Sequence, residues 1–482
     1  MQIKKLLHGF VENLEKIADF DVAGIAVDSR QVKPGFLFLA ITGHQYDGHA
    51  YIAQAIQNGA SVILSEKSLE LHHVIHFTVP KLSNYIGDIA SRFYGEPSQK
   101  LAITGITGTN GKTTIAYLLS QAHTALDKKS AYIGTLGAGV IGHLTDTGMT
   151  TPSPVNLQAF CQHLVEQGVK DLVMEVSSHA LDQNRTAGIN FKYAIFTNLT
   201  HDHLDYHPSF DHYAESKAKL FKMPNLEAIF INMDDPYHEL MLKQANPKAK
   251  VYGYGINNQT DVYVKNTSWT LDGMHLELTS PWGDVELEVG LLGQFNVYNA
   301  LAVFACLMTE GYQLNQVQDV MKTLKPAPGR MEICKKQPLV IVDYAHTPDA
   351  LENAIKTLKQ FKEETKAGAL WVVFGCGGNR DSFKRPVMGK IASNLADFVI
   401  VTSDNPRHEQ PTAIMNQITQ GIPLGQRLMQ IEDRKLAIIT CLEQAKTEDI
   451  VLIAGKGHED YQIIGDEKIF FSDQDIVHNF LI

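Results

Sequence analysis

The chain reads as an α/β protein of three domains, with a mostly parallel central sheet carrying a phosphate loop and a Rossmann-like C-terminal domain. Three observations predict this. Short apolar runs of strand length alternate with helical stretches from about residue 93 onward. One strand-to-helix turn carries the run Gly108-Thr109-Asn110-Gly111-Lys112-Thr113-Thr114. Four further apolar runs after Gly329 each end in a polar, sharply turning loop, the pattern that lines the ligand crevice of a doubly wound sheet. At 482 residues the chain is too long for one core. Its segments divide at 1–92, 93–328 and 329–482.

Taken in order, the first segment mixes short apolar runs and turns. Val27-Asp28-Ser29-Arg30, Pro34 to Ala40 and the Gly43-to-Gly48 loop precede a helix expected near Ala50–Asn58. Tyr94-Gly95-Glu96-Pro97-Ser98 has linker composition. The second segment opens with the strand Leu101 to Thr107 and, from Thr113, a helix whose Ile115, Leu118, Leu119 and Ala122 share one face. Leu172 to Val176, Tyr193 to Thr197 and Ala228 to Asn232 are buried-type parallel strands. Between 251 and 290 the pattern changes. Val262 to Val264, Met274 to Leu278 and Val285 to Val289, with a hairpin signal at Asp272-Gly273, predict an antiparallel side-sheet. Leu339 to Val342, Leu370 to Phe374, Phe398 to Thr402 and Ile450 to Ala454 are the strands of the last segment.

The glycine-rich turn aims backbone N–H groups and a helix N-terminus at an anion. Lys112 is placed to reach terminal phosphates, and the Thr113 hydroxyl to ligate Mg²⁺. The loop is a variant, because Ile106 stands where G-x-x-x-x-G-K-[ST] has its first Gly. ATP and Mg²⁺ are therefore the expected cofactors. Gly375-Cys376-Gly377-Gly378 resembles a dinucleotide fingerprint only superficially, since Arg380 occupies its third Gly position.

Composition narrows the class. Hydrophobic residues make up 44% and charged residues 20%, as in ordinary globular proteins. The net charge of −11 argues against nucleic acid as a partner. No run approaches a membrane span, and the N-terminus lacks a signal-peptide core. Five scattered cysteines offer neither a disulfide framework nor a C-x-x-C metal site. A cytoplasmic location and a monomer are expected.

Glu175, closing a central strand near the phosphate loop, is a candidate Mg²⁺ ligand. The run His201-Asp202-His203-Leu204-Asp205-Tyr206-His207 packs three His and two Asp into seven residues. A structural zinc site and a second magnesium ligand are equally open on composition.

Several motifs recur together in order and spacing. They are Thr107 to Thr114, Glu175 to Leu181, Asp202 to Asp205 and Tyr213-x-x-x-Lys217-x-x-Leu220-Phe221. Gly293-x-Phe295-Asn296-x-x-Asn299 to Ala302, Pro328 to Glu332, Asp343 to Pro348 and Gly455 to Glu459 complete the set. Together they resemble the Mur ligase family over essentially the whole chain, and most closely its tripeptide-forming branch.

The resemblance implies an ATP-dependent ligase that phosphorylates a carboxylate and lets an amine displace phosphate. It implies Thr113 and Glu175 as ligands of one magnesium and His203 of a second, with Lys112, His203 and Lys217 as the catalytic set. Lys217 matches a carbamylated lysine (N6-carboxylysine). Gly108 to Thr114, Asn296, Arg330, Asp343 and His346 fall on the nucleotide side. Ser29 and the His44-Gln45 loop resemble UDP contacts. Thr150, Thr151, Ser177, Gln183 and Arg185 resemble contacts to the muramoyl-dipeptide. Arg380, Asp404, Asn405, Arg407, Gly455 and Glu459 belong to the amino-acid site.

The resemblance further implies that Arg407 in Asp404-Asn405-Pro406-Arg407 goes with meso-2,6-diaminopimelate as the added amino acid. A second carboxylate gives that Arg a partner that lysine lacks. The expected co-substrate is UDP-N-acetylmuramoyl-L-alanyl-D-glutamate, and the process peptidoglycan precursor synthesis. The alternatives are an L-lysine-adding relative and a nucleotide-binding protein without ligase activity.

Overall fold

Ala102–Thr107 sits in the middle of a ten-stranded sheet, and this placement explains its composition. Neighbours on both sides, Phe191–Phe196 and Asp171–Glu175, pair with it in parallel, so Ile103 and Ile106 are buried on opposite faces. The computed structural model describes residues 1–43, 47–71, 73–270 and 273–480. In strand order the large sheet runs Gly283–Val289, Gly273–Ser280, Val262–Thr270, Lys250–Gly255, Ala228–Asn232, Phe191–Phe196, Ala102–Thr107, Asp171–Glu175, Ser130–Gly134 and Gly137–Gly139.

The strands between 262 and 289 correct one expectation. They do not stand apart as a side-sheet. Val262–Thr270 pairs in parallel with Lys250–Gly255 through Tyr254↔Val262, and the antiparallel strands that follow continue the same ladder. Local alternation gives a strand's exposed face but not its neighbour, which is settled by long-range pairing. Asp272, half of the hairpin signal, lies outside the described residues.

Two further sheets flank this one in sequence. Gly24–Ala26, Phe36–Ala40, Ala60–Ser65 and Ile75–Thr78 form a parallel four-stranded sheet. The helix expected near residue 50 begins as a 3₁₀ turn, Gly48–Tyr51, and continues as Ile52–Gln57. In the last segment the strand order is Glu332–Lys336, Leu339–Asp343, Ile450–Ala454, Leu370–Phe374, Phe398–Val401 and Leu428–Gln430, parallel except at the first pair. A separate hairpin, Tyr461–Ile464 with Glu467–Phe470, follows.

The helix Lys112–Ala125 buries Ile115, Leu118, Leu119 and Ala122 completely, as its spacing predicts. It shares a core cluster with Gln294–Thr309, a helix apolar nearly all round and correspondingly buried. The first segment docks on the central one where helix Ile86–Phe93 meets the Ala187 turn. A Cβ on Gly87 would stand 2.1 Å from the Ala187 carbonyl oxygen, so only glycine permits this approach. The last segment reaches the phosphate loop directly, where Asn110 Nδ2 donates to Asp349 Oδ2 at 3.2 Å.

Candidate active site

The phosphate loop bends sharply because two glycines take positive φ, +148° at Gly108 and +90° at Gly111. A side chain at Gly108 would collide with Thr197 Oγ1, 1.8 Å from an ideal Cβ. The loop is held from outside by the segment after Phe196. Thr109 N donates to Asn198 O at 2.8 Å, Asn110 N to Asn198 Oδ1 at 2.9 Å, and Thr197 Oγ1 to Asn110 O at 2.6 Å. The arrangement leaves the start of the Lys112–Ala125 helix facing the cleft, with Thr113 and Thr114 buried in its first turn.

Three cations converge on this loop. Lys112 Nζ donates to Gly108 O (2.8 Å) and Thr109 O (2.7 Å). Lys217 Nζ donates to the same Gly108 O at 2.7 Å and lies over the Tyr213 ring at 4.5 Å. Arg330 Nη2 donates to Thr113 Oγ1 at 3.4 Å, and its plane covers Tyr344 at 4.4 Å. Among the described residues, none of the three has a carboxylate within ion-pair distance. Lys217 is 1% exposed. Burial first, and then the charge of Lys112, hold its pKa well below the ordinary lysine value, with Asp202 opposing. Burial also lowers that of Lys112, against the pull of Glu175 and Asp202.

Glu175 is wholly buried. Its Oε1 accepts from Tyr132 OH (2.5 Å) and Thr135 N (2.9 Å), while Oε2 has only Thr135 Oγ1 at 3.3 Å. The histidine-rich run separates into three directions. His207 is buried against Ser178 Oγ (3.0 Å) and His212 Nδ1 (2.9 Å). His201 packs on Phe210 at 4.7 Å. His203, with φ +55°, faces His179 at 4.9 Å and Asp202 Oδ2 at 3.4 Å. His203 and His207 both pack on the His179 ring, at 4.9 and 5.5 Å, but the run's three imidazoles do not gather into a metal-ligating group among the described residues.

Of the residues expected to contact the substrate, Arg185 lacks an acidic partner among the described residues. Its guanidinium donates to Gln183 Oε1 (2.8 and 2.5 Å) and Thr151 O (3.2 Å). Thr151, Ser177 and Glu175 are tied together, since Thr151 Oγ1 donates to Glu175 O at 2.9 Å and accepts from Ser177 N at 3.2 Å. Thr150 Oγ1 lies 3.3 Å from Thr135 Oγ1. Ser29 is buried in the first segment, its hydroxyl on Gln54 Oε1 at 2.7 Å. His44 and Gln45 lie outside the described residues.

Two residues expected on the nucleotide side have their polar atoms engaged locally. Asn296 Nδ2 donates to Leu292 O at 2.7 Å, and its Oδ1 accepts from Asn299 at 2.8 Å. Asp343 accepts from Met331 N (2.7 Å) and Ala345 N (2.9 Å), shaping the turn that delivers Arg330. His346 is exposed, with Nδ1 on Tyr344 O at 2.8 Å.

The loops after three parallel strands build the remaining pocket. Arg407 sits at φ +52°, pinned by Arg407 N donating to Ile463 O (2.9 Å) and Gly465 N donating to Arg407 O (2.8 Å). Among the described residues its guanidinium donates only to carbonyls, Gly378 O at 3.0 Å and Asn405 O at 3.4 Å. Gly377 lies between it and exposed Arg380. Asn405 Nδ2 donates to Glu459 Oε2 at 2.8 Å, and buried Lys456 bridges Asn405 Oδ1 (3.2 Å) and Glu459 (3.3 Å). Gly455 N donates to Asp343 O at 3.0 Å.

Sequence reading misses two buried arginines that support these loops. Arg385 grips Glu409 through two bonds of 2.8 and 3.0 Å and also donates to Gly377 O at 3.1 Å, joining the Arg380 and Arg407 loops. Arg434 is paired with Asp473 at 2.8 and 2.7 Å and donates to Ser403 O and Ala454 O, directly beneath Asp404 and Gly455. In sequence each reads as a helix-surface arginine. Their only signal is a carboxylate far away along the chain, invisible without the fold. Asp473→Asn is expected to lower stability by about 3 kcal/mol, because buried Arg434 loses its two-bond carboxylate partner and keeps only Asp404 Oδ2 at 4.0 Å. Urea unfolding monitored by Trp fluorescence measures this; an unchanged midpoint would contradict it.

Comparison with known proteins fits this geometry. Residues 21–94 match the Mur ligase family catalytic domain, 106–307 the Mur ligase middle domain and 329–457 the Mur ligase glutamate ligase domain. The UDP-N-acetylmuramoyl-L-alanyl-D-glutamate--2,6-diaminopimelate ligase of Neisseria meningitidis serogroup A is 44% identical over 465 residues, 94% of each chain. A solved structure of a ligase with the same name superposes with TM-score 0.72 at 38% identity, covering 94% of this chain and 93% of its own. The MurF ligase of Thermotoga maritima in complex with ADP shares the fold at 18% identity, with TM-score 0.61 over 90% of this chain and 94% of that one. With such identity spanning almost its whole length, the chain belongs to the Mur ligase family.

Proposed function

We infer that the protein is an ADP-forming acid–amino-acid ligase. It adds meso-2,6-diaminopimelate to the D-Glu γ-carboxylate of UDP-N-acetylmuramoyl-L-alanyl-D-glutamate in peptidoglycan precursor synthesis. The observation that carries this reading is the convergence of Lys112, Lys217 and Arg330 on one phosphate loop without ion pairs to acidic residues among the described ones, together with Arg407, which likewise has no acidic partner among them. Unpaired cations in a cleft call for anionic ligands, here a nucleotide at one end and a carboxylate at the other.

A carboxylate resists attack by an amine because oxide is its leaving group. Transfer of the ATP γ-phosphoryl group to the D-Glu carboxylate gives an acyl phosphate and ADP. The amine then forms the amide bond and inorganic phosphate departs. Lys112 and the loop amides stabilise charge on the transferring phosphoryl group. Arg185 orients the anionic peptide substrate, and Thr151 and Ser177 fix the turn beside it. Arg330 delivers positive charge from the last segment only when that segment sits against the loop, which couples closure to chemistry.

Magnesium fits the donors present. Thr113 and Glu175 supply the hard oxygen ligands it prefers, and buried Glu175 makes no ion pair among the described residues. His203 supplies a neutral imidazole, its pKa lowered chiefly by burial. The ion would supply charge neutralisation on the phosphates. Lys217, pushed towards its neutral amine, is poised to add CO₂, forming an N–C bond and releasing a proton, so that a buried cation becomes a metal-binding carbamate.

Confinement of each sheet to one stretch of sequence supports domains at 1–92, 93–328 and 329–482. No described helix is long and apolar enough to cross a membrane. We propose that the protein acts as a monomer in the cytoplasm.

The test is ATP-dependent phosphate release with the UDP-dipeptide supplied, comparing acceptors. Meso-diaminopimelate is expected to be preferred over L-lysine by about 10⁴-fold in kcat/KM, the scale of discrimination when the wrong substrate leaves a site's polar group unpaired. Preference for lysine would select the lysine-adding alternative, and turnover without any acceptor would refute ligation.

A further inference from the structure

Three metal-ligating side chains meet at the far end of the phosphate-loop helix, away from the cleft. His123 lies in the last turn of Lys112–Ala125, Asp171 opens the strand that ends in Glu175, and Glu310 follows the helix Gln294–Thr309. One ligand atom from each lies within 4.8 Å of the others. Their side chains are 1%, 6% and 5% exposed. Two carboxylates buried this deeply need compensating charge.

Compensation by the protein itself is incomplete. His123 Nε2 and Glu310 Oε2 are 2.8 Å apart, which serves one carboxylate. Asp171 accepts no hydrogen bond from any described residue. Its cation is Lys128, 3.8 Å away and itself 39% exposed. A nine-tenths-buried carboxylate without a donor, turned towards a histidine and a second carboxylate, is an incomplete coordination set. Burial also raises the Asp171 pKa, the penalty that a bound cation would remove.

We propose that His123, Asp171 and Glu310 form a structural site for a divalent transition-metal ion of the zinc type, clamping the back of the phosphate-loop helix to the sheet. One imidazole with two carboxylates suits zinc or cobalt, whereas calcium and magnesium favour oxygen ligands alone. Ligand bonds of about 2.1 Å place donors roughly 3.4 Å apart, so side-chain rotation draws the more distant donors inward from within 4.8 Å while the His123–Glu310 pair opens from 2.8 Å. The proton shared by His123 and Glu310 leaves as the metal enters. Cys306, with Sγ 3.6 Å from Glu310 Oε1, is the outer donor that orients that carboxylate.

Equilibrium dialysis of the full chain against zinc, in excess magnesium, tests the site, with cobalt(II) absorption reporting tetrahedral coordination. The wild type is expected to bind one zinc per chain and to melt at a higher temperature with it. Asp171→Asn and Glu310→Gln keep shape and remove charge, and each is expected to weaken zinc binding by about 100-fold or more. His203→Ala, which alters the active cleft, is expected to leave this zinc in place. ATP-dependent turnover in zinc-free buffer verifies that the two isosteric variants are folded. Any other pattern overturns the proposal, whether no zinc bound in excess magnesium, retention in both isosteric variants, or loss only with His203→Ala.

Discussion

Lys217→Ala is expected to lower turnover by on the order of 10³-fold, the scale for losing a group that stabilises transition-state charge. Added formate or acetate is expected to restore part of it. The reason lies in burial without a counter-charge. Lys217 Nζ has one carbonyl and one aromatic face as partners, and it shares that carbonyl with Lys112. An ammonium there is unfavourable, and its pKa is well below the ordinary lysine value. The sign follows. The unfolded chain binds this proton more readily than the folded one, so the unmodified lysine lowers stability increasingly as pH falls from the ordinary lysine range.

A carbamate would reverse the charge and offer oxygen ligands. Truncation to Ala leaves a cavity in which a small carboxylic acid can stand in for it. The variant is expected to keep a cooperative melting transition, which separates loss of chemistry from loss of fold. Phosphate release with and without formate, beside a melting curve, measures both. A fully active alanine variant would sink the carbamate reading.

Substituting Arg407 carries the second large effect, on selectivity. The guanidinium has only backbone acceptors, and the residue holds a left-handed φ of +52°, a conformation that costs roughly 1–2 kcal/mol outside glycine. Strain at a residue that carries an unpaired charge points to a role beyond folding. Arg407→Gly relieves the backbone while deleting the guanidinium, so the loop pinned by Ile463 and Gly465 is retained. Its kcat/KM for meso-diaminopimelate is expected to fall by on the order of 10³-fold, with little change for L-lysine. Arg407→Lys is expected to recover little, because an ammonium cannot fork a carboxylate. Parallel acceptor assays decide this, and equal losses for both amino acids would assign Arg407 to loop structure alone.

Which parts of the site were legible follows from the range of the interactions involved. The phosphate loop, the carboxylate ending a strand at Glu175 and the loops after Phe374, Val401 and Ala454 are marked by neighbours a few residues away. Turn glycines, strand-length apolar runs and the i, i+3, i+4 face of the following helix are local consequences of backbone geometry. Gly108 to Thr114 could therefore be assigned directly, and Arg407 placed in a turn.

The residues that hold these loops were not legible. Arg385 meets Glu409 and Arg434 meets Asp473 across stretches of chain that carry no periodic signal. The histidine-rich run gave composition but not direction. Only packing separates the three, with His207 buried against Ser178 and His212, His201 on Phe210, and His203 on His179. Asn296 and Asp343, read by resemblance as nucleotide contacts, have their side-chain groups bonded locally in the fold.

Local chemistry in the chain was thus enough to specify the fold class, the phosphate loop and the family resemblance, because each rests on residues adjacent in sequence. Tertiary structure alone decided that the strands 262–289 extend the central sheet and that Lys112, Lys217 and Arg330 share one loop without acidic partners. Charge compensation and burial depend on atoms brought together from distant positions, and those distances exist only once the chain has closed its contacts.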